Sequence, residues 1–382
     1  MIKVEYGLPK DELNRRYLQL FDLGPMGYAW QQIRRRLTGR KGLSKIPVSL
    51  NEILTANYPK LVDIFQVYQE WNGLDETLKK DIATLFDYDK YQPKIAGFFM
   101  ESQNGFELHT CHYCGTAYIN AYGFMQEYGD DVLTFIKNAS REALKKYIPG
   151  DLSDRTIQMI LDNRDSFTSL ADFDALSCWR SANKSDTIKT MSDNHFDLDH
   201  ELDKGSCLLV ALSLYNFVPS CQVCNEKLKR SQTIGNRTNK AELIKLSPTS
   251  DGYDFDRNVT FSVTPKTAST FGFMRNNEKY SVEVNCQDPD YEKSVELFRL
   301  KQRYNYHKVF ALRLLDLKER YSDGSIKMIS NLLQRKTAIS ARYTEQQIHE
   351  DIFGEEYSKV GHRCFDKLRR DVLNTGNLRK GL

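Results

Sequence analysis

Hydrophobic and polar positions follow the period of amphipathic helices along most of this chain. In residues 49–71 the apolar side chains recur at mostly helical spacing, and Pro59 predicts that two helices meet there. A second stretch runs from residue 288 to the end of the chain. There one apolar face is sustained by Leu297, Leu300, Tyr304, Val309, Leu312 and Leu315. The pattern therefore predicts helical scaffold on both sides of the middle.

The middle of the chain departs from this period. Residues 100–125 contain glycines and short strand-like runs, and YDFDRNVTFSVTP and NEKYSVEVNC alternate apolar with polar residues, which predicts two strands of a small sheet. Residues 130–190 are helical again, and DLSDRTIQMILDNRDSFTSLADFDAL predicts two helices around a turn. This weakly resembles the helix-hairpin-helix element that grips DNA, but its turn lacks the usual glycines. A plain helical insertion is the favoured interpretation.

These patterns together predict an α+β fold that is mainly helical. A chain of 382 residues is long enough for roughly two to three domains. We expect a helical N-terminal region over residues 1–100 and a central region over 101–240 with a helical insertion at about 126–190. Residues 241–382 are expected to form a small β hairpin followed by a helical C-terminal region.

Composition and charge narrow the class of protein. The hydrophobic fraction is 40% and the charged fraction 27%, as in ordinary globular proteins. No apolar run reaches the ~18–20 residues that span a bilayer, and the N-terminus lacks a signal-peptide core, so we expect a cytoplasmic protein without a membrane partner. The net charge of +3 does not by itself indicate a nucleic-acid partner. The basic residues cluster, however, in QQIRRRLTGRKGLSK and NEKLKRSQTIGNRTNK, which suits either phosphate binding or a solvated helix face.

Four of the eight cysteines form two CxxC pairs, CHYC (Cys111, Cys114) and CQVC (Cys221, Cys224). Two such pairs supply the four thiolates of a closed tetrahedral zinc site, which leaves no position for a substrate and is therefore structural. The alternative is that the pairs are buried free thiols. His109 and His112 lie beside the first pair and are spare candidates for a ligand. A shared zinc ion would require the insertion to loop out.

The stretch HFDLDHELDKGS, residues 195–206, is dense in acids and histidines. Asp199 and His200 come first, Asn216 follows in LYNFVPS, and Asn225 stands directly after the second CxxC. This order resembles the HNH nucleases, the ββα-metal family, whose zinc-clamped members carry CxxC pairs in the same places. The resemblance covers residues 100–235 and implies a zinc-stabilised ββα-metal core.

The resemblance implies a role for each matching residue. Asp199 and Asn225 would be ligands of a catalytic Mg²⁺ or Mn²⁺ ion, since a hard cation prefers oxygen. His200 would be the general base, because histidine titrates near neutral pH. Asn216 would hold the connecting loop and so orient His200. Contacts to substrate phosphate are expected from Lys204, Lys227, Lys229 and Arg230.

Two positions depart from the common family pattern. Asp203 stands where many members have proline, and Asn225 stands where the last ligand is often histidine. The negative charge of Asp203 would oppose the approach of a phosphate. Alternatively, Asp203 does not touch the substrate and instead contacts the residues that bind metal. Asp197 and His195 share a strand face with Asp199, so each could be a further metal ligand. The simpler interpretation is that Asp197 is a solvated acid and His195 a polar histidine of the core.

The function implied is a metal-dependent endonuclease that hydrolyses DNA phosphodiester bonds. Long-flanked HNH proteins resemble the nuclease subunits of bacterial anti-phage systems of the Septu type, in which an ATPase partner controls the nuclease, so antiviral defence and such a partner are expected. Two alternatives stay open. One is a non-catalytic, zinc-stabilised nucleic-acid-binding protein, and the other is a toxin-like RNase.

Overall fold

The computed structural model describes residues 1–71, 73–106, 108–122, 128, 131–148, 152–177, 185, 188, 193–266, 277–336, 344–354 and 363–374. The helices before residue 200 are α1 (Lys10–Leu18), α2 (Leu23–Arg36), α3 (Leu50–Leu54), α4 (Tyr58–Gln69), α5 (Glu76–Leu85), α6 (Tyr88–Met100), α7 (Val132–Asn138), α8 (Arg141–Tyr147), α9 (Asp154–Asn163) and α10 (Leu170–Asp174). The later helices are α11 (Val223–Lys229, wound as a π-helix), α12 (Lys240–Leu246), α13 (Phe255–Asn258), α14 (Glu292–Leu297), α15 (Leu300–Tyr306), α16 (Lys308–Arg320), α17 (Asp323–Lys336), α18 (Glu345–Phe353) and α19 (Asp366–Asn374).

The described strands pair two by two. They are β1 (Ala121–Tyr122), β2 (Asp193–Asn194), β3 (Asp197–His200), β4 (Phe217–Ser220), β5 (Val259–Pro265) and β6 (Tyr280–Cys286), and the sheets are β1–β2, β3–β4 and β5–β6. In β5–β6 the antiparallel register sets Val259 opposite Cys286 and Pro265 opposite Tyr280. The alternating burial of β5 confirms the strand pattern read from the sequence. The mixture of helices and small sheets is an α+β fold.

The chain divides into two compact units that are not consecutive ranges. The first unit contains Met1–Val4, His109–Tyr118 and Val218–Leu382, and the second contains Glu5–Leu108 and Ile119–Phe217. Both CxxC pairs therefore belong to the first unit, whereas Asp199 and His200 belong to the second. The three consecutive regions expected from the sequence stay a prediction.

In the first unit, the β5–β6 hairpin is packed against α15, α16 and α19. The ring of Phe261 stacks on that of Tyr304, with centroids 4.2 Å apart. The ammonium of Lys367, only 4% exposed, donates to the backbone oxygen of Asp256 at 2.9 Å and lies 3.2 Å from the carboxylate of Asp371. Buried charges need such partners, and this network joins α19 to α13.

In the second unit, the break predicted at Pro59 is confirmed. Pro59 is the second residue of α4, where its missing N–H costs nothing, and the side chain of Asn57 caps the helix by accepting from Lys60 N at 3.2 Å. Helices α7–α10 surround an apolar cluster of their own, with Phe135, Ile157, Ile160 and Phe173 fully buried. The expected helix–turn–helix is thus present as α9 and α10, while its DNA-binding role stays a prediction.

The described helices also bear on membrane insertion. In this part of the chain, no helix combines the length and the apolar character that crossing a bilayer requires. Membrane-spanning helices are therefore absent from the residues that the structure describes.

Candidate metal centre and candidate catalytic residues

The two CxxC pairs come together in the first unit. The sulfur atoms of Cys111, Cys114, Cys221 and Cys224 all lie within 4.8 Å of one another. Tetrahedral zinc with Zn–S distances near 2.3 Å places its sulfurs about 3.8 Å apart, so a small contraction closes this group around an ion. Cys221 is partly exposed and the other three residues are buried. Four thiols in this geometry suit a soft or borderline metal ion such as zinc.

Each pair is shaped by a tight local turn. The N–H of Gly115 donates to the carbonyl of Cys111 at 2.8 Å, and Gly115 has a φ of 61°, which a residue with a Cβ rarely adopts. In the second pair, the N–H groups of Cys224 and Asn225 both donate to the carbonyl of Cys221, at 2.9 and 3.1 Å. Closing the backbone in this way turns both thiols of a pair toward one point.

The thiols influence one another's acidity. Hydrogen bonds with the three neighbouring thiols hold the pKa of Cys114 well below its usual range. The hydrogen bond with Cys111 lowers the pKa of Cys221 to about 7. Burial, in contrast, raises the pKa of Cys111. Thiolate is the form that binds metal; the pKa shifts favour it at Cys114 and Cys221, whereas the pKa values of Cys111 and Cys224 are raised.

Side chains from the C-terminal region complete the surroundings of the cluster. Arg303 Nη1 lies 3.2 Å from Cys224 Sγ, and its Nη2 donates to Thr116 Oγ1 at 3.0 Å. The hydroxyl of Tyr304 donates to the carbonyl of Cys114 at 2.8 Å. Sequence reasoning missed both residues, because their only signal was a helical pattern typical of scaffold.

The histidines beside the first pair are not part of the four-thiol group. Nδ1 of His112 lies 3.1 Å from the carbonyl of Pro219, which can only accept, so this nitrogen carries the proton. Burial lowers the pKa of His112 to about 4, and the ring is therefore neutral at physiological pH. His112 joins the turn of the first pair to β4 instead of binding metal.

The second unit holds Asp199 and His200 at the end of β3, where they are 3% and 9% exposed. Nε2 of His200 lies 2.9 Å from the carbonyl of Ala211. A carbonyl only accepts, so in the neutral ring the hydrogen is assigned to Nε2 and the lone pair to Nδ1.

Asn216 bonds the loop that carries this carbonyl. Its Oδ1 accepts from the N–H of Leu202 at 2.8 Å, and its Nδ2 donates to the carbonyls of Leu202 and Val210, at 2.9 and 3.0 Å. Val210 directly precedes Ala211. The Asn216 amide therefore fixes the backbone next to the carbonyl that His200 contacts. Asn216 is 0% exposed, and three partners satisfy its polar atoms in the interior.

Tyr88, the first residue of α6, forms one wall beside His200. The two rings meet edge to face with centroids 4.5 Å apart, and Phe217 contacts the same imidazole at 5.0 Å. Burial raises the pKa of Tyr88, and the carboxylates of Asp197, Asp89 and Asp199 raise it further. Tyr88 is a residue that sequence reasoning missed, since the N-terminal helices were interpreted as scaffold.

The four predicted phosphate contacts do not share one environment. The ammonium of Lys204 lies 4.2 Å from the Tyr88 ring centroid and 3.2 Å from Asp89 Oδ1, with 40% of its side chain exposed. Lys227 and Arg230 are exposed. Lys229 is 0% exposed, and its contact with phosphate stays a prediction. In the π-helical α11, residues five apart fall near the same face, and Lys229 therefore follows Cys224 inward.

The remaining predicted residues have plainer surroundings. Asp203 closes the turn after β3: its carboxylate accepts from the N–H of Ser206 at 2.9 Å and of Gly205 at 3.2 Å. The Asp203 carboxylate thus stabilises this turn through hydrogen bonds to its backbone. The backbone N–H of His195 donates to Asn120, and the side chain of His195 is exposed. Asn225 is partly exposed in the first unit, so its pairing with Asp199 on one cation stays a prediction.

Comparison of the chain with protein-family models, with curated proteins and with solved structures gave no match. The function proposed for this chain therefore rests on the motif order in its sequence and on the geometry of the two sites.

Replacing one thiol tests the metal centre. Cys221→Ser removes one of four ligands, so bound zinc should fall from about one ion per chain to a small fraction, and the thermal midpoint of unfolding should fall with it, since a structural metal contributes folding free energy. Metal analysis and thermal unfolding measure both quantities. The control is Cys286→Ser at the end of β6, which should keep its zinc. Full zinc content in Cys221→Ser would rule out the four-sulfur site.

Removing the amide of Asn216 tests the loop. Asn216→Ala leaves buried backbone groups of Leu202 and Val210 without partners, which should lower the free energy of unfolding by at least about 2 kcal/mol in a denaturant titration. The control is Asn163→Ala, whose exposed side chain bonds one carbonyl in the same unit and should change stability by less than about 0.5 kcal/mol. Equal stability of the two variants would contradict the role of Asn216.

Proposed function

We propose that this protein is a metal-dependent endonuclease of the HNH type that hydrolyses DNA phosphodiester bonds. The observation that supports this most is the arrangement of His200. Its Nε2 is engaged by the Ala211 carbonyl, on a loop that Asn216 fixes by three hydrogen bonds. A histidine oriented in this way is suited to general-base chemistry.

In the proposed reaction, Nδ1 of His200 takes a proton from the attacking water while Nε2 keeps its hydrogen bond to Ala211. The carbonyl stabilises the imidazolium that results, because the ring now carries positive charge. The proton moves from the water oxygen to Nδ1, and the water oxygen forms the new bond to phosphorus as the leaving oxygen departs. Lys204, whose ammonium lies near the Tyr88 ring and Asp89, would contact phosphate.

Asp199 and Asn225 are the residues that would hold the divalent cation. When bound, Mg²⁺ or Mn²⁺ supplies Lewis-acid stabilisation of the charge that develops on phosphate. Beyond the effect of burial, the carboxylates of Asp197, Asp89 and Asp199 each raise the pKa of the Tyr88 hydroxyl. The surroundings of this hydroxyl are therefore locally negative, which suits a cation. A carboxylate and an amide oxygen are ligands of the type that Mg²⁺ prefers.

The defence role and the ATPase partner rest on the resemblance to Septu-type nuclease subunits alone. The helical regions on both sides of the candidate sites offer surface for a partner.

One observation favours a second candidate function. Asp199 and His200 are 3% and 9% exposed, which limits access of a substrate to these side chains. A zinc-stabilised protein that binds nucleic acid without cutting it would tolerate this burial, whereas a nuclease needs the site to open when DNA binds.

Deleting the proposed base tests the enzyme directly. His200→Ala should lower the rate of cleavage of duplex DNA with Mg²⁺ or Mn²⁺ by about 10²–10⁴-fold, because general-base catalysis contributes that much, while zinc content stays unchanged. Gel assays on duplex DNA, single-stranded DNA and single-stranded RNA measure the rate and separate DNase from RNase activity. The control is His195→Ala, an exposed histidine of the same segment, which should cut normally.

Two results would contradict the proposal. Normal cleavage by His200→Ala would remove His200 as the base. Intact DNA after incubation with wild-type protein, both metals and the product of any adjacent gene, combined with measurable DNA binding, would favour the non-catalytic alternative.

Tyr88 provides a second test of the same site. Tyr88→Leu removes the ring that contacts both His200 and the Lys204 ammonium, and a misplaced base should lower kcat by roughly 10–100-fold. Tyr88→Phe keeps the ring and removes only the hydroxyl, so its kcat should stay within about 2-fold of wild type, a margin well below the effect of misplacement. Steady-state cleavage kinetics measure both variants. Equal kcat values for Tyr88→Leu and Tyr88→Phe would show that the ring has no positioning role.

A further inference from the structure

Arg303 connects the two halves of the four-cysteine cluster. Its Nη1 lies 3.2 Å from the sulfur of Cys224, which belongs to the second CxxC pair. Its Nη2 donates to Thr116 Oγ1 at 3.0 Å, and the N–H of Thr116 points to the sulfur of Cys114 at 3.5 Å. One planar guanidinium therefore bridges from a thiol of one pair to the turn that supports the other pair.

The charge of Arg303 matches what a metal centre of this kind needs. Four thiolates around one divalent ion leave two excess negative charges, and a partly buried cluster has little water to stabilise them. An arginine guanidinium is always charged in proteins, and its hydrogen bond to sulfur is therefore charge-assisted.

The helix that carries Arg303 is itself anchored to the first pair. Tyr304, the next residue of α15, donates its hydroxyl to the carbonyl of Cys114 at 2.8 Å. Its ring is buried against Phe261 of β5. These contacts fix the direction from which Arg303 reaches the sulfur, so the guanidinium approaches the cluster already oriented.

We propose that Arg303 is a positioning residue of the metal centre, which orients the Cys224 thiolate and offsets the excess negative charge of the metal–sulfur cluster. The C-terminal helix α15 is then part of the metal site and not only scaffold. Partners of this kind around a metal site typically contribute 10–100-fold to metal affinity. The proposal rests on the four-cysteine centre and is independent of nuclease activity.

Three variants of the full-length chain test this role by zinc competition against a chromophoric chelator. Arg303→Met keeps the length of the side chain without charge or donors and should lower zinc affinity about 10–100-fold. Arg303→Lys keeps the charge but cannot bond Cys224 and Thr116 together, so its affinity should fall by less. The matched control is Arg313→Met on the exposed side of α16, which should leave affinity within about 2-fold, well below the loss expected at Arg303.

A spectroscopic measurement distinguishes positioning from a general loss of stability. In protein loaded with Co²⁺, loss of the hydrogen bond to Cys224 should shift the thiolate-to-cobalt charge-transfer band in Arg303→Met and not in Arg313→Met. If Arg303→Met fails to fold, Thr116→Val keeps the charge and removes one anchor, and it should still lower zinc affinity. Zinc affinity and cobalt spectra that match wild type in the folded Arg303 variants, or in Thr116→Val, would overturn the proposal.

Discussion

The convergence of four sulfurs is the constraint on which the first unit depends. Cys111 and Cys114 lie far along the chain from Cys221 and Cys224, yet their sulfurs are within 4.8 Å of one another. Neither pair can be held there by local structure alone, because each turn organises only its own two thiols. A shared metal ion would supply the missing attraction, and the folding free energy would then depend on metal binding. The turn of the first pair also bonds Phe365 through the carbonyl of Gly115, so the C-terminal segment is tied to the same point.

The candidate catalytic loop depends on a different interaction, the hydrogen bonds of one buried amide. Asn216 holds the backbone of Leu202 and Val210, and the neighbouring Ala211 carbonyl orients His200. Only β4, Phe217–Ser220, separates Asn216 from the second CxxC pair along the chain. Along the chain, the second CxxC pair therefore follows the histidine loop after one short strand.

Features with a local cause could be predicted from the sequence. The CxxC spacing, the alternation of β5 and β6 and the helix break at Pro59 each follow from neighbouring residues. Features made by residues distant in sequence could not. Arg303 and Tyr88 contact the sites through tertiary packing, and nothing in their own segments distinguishes them from scaffold. The π-helical winding of α11 buries Lys229, which an ordinary helical period would have left outside.

X-ray absorption at the zinc edge tests the four-sulfur centre most directly, because it reports the type and number of ligands around the metal in the intact protein. The predicted result is a first shell of four sulfur atoms near ~2.3 Å without nitrogen or oxygen ligands. A shell that mixes nitrogen with sulfur, or protein purified without zinc that folds equally well, would contradict it.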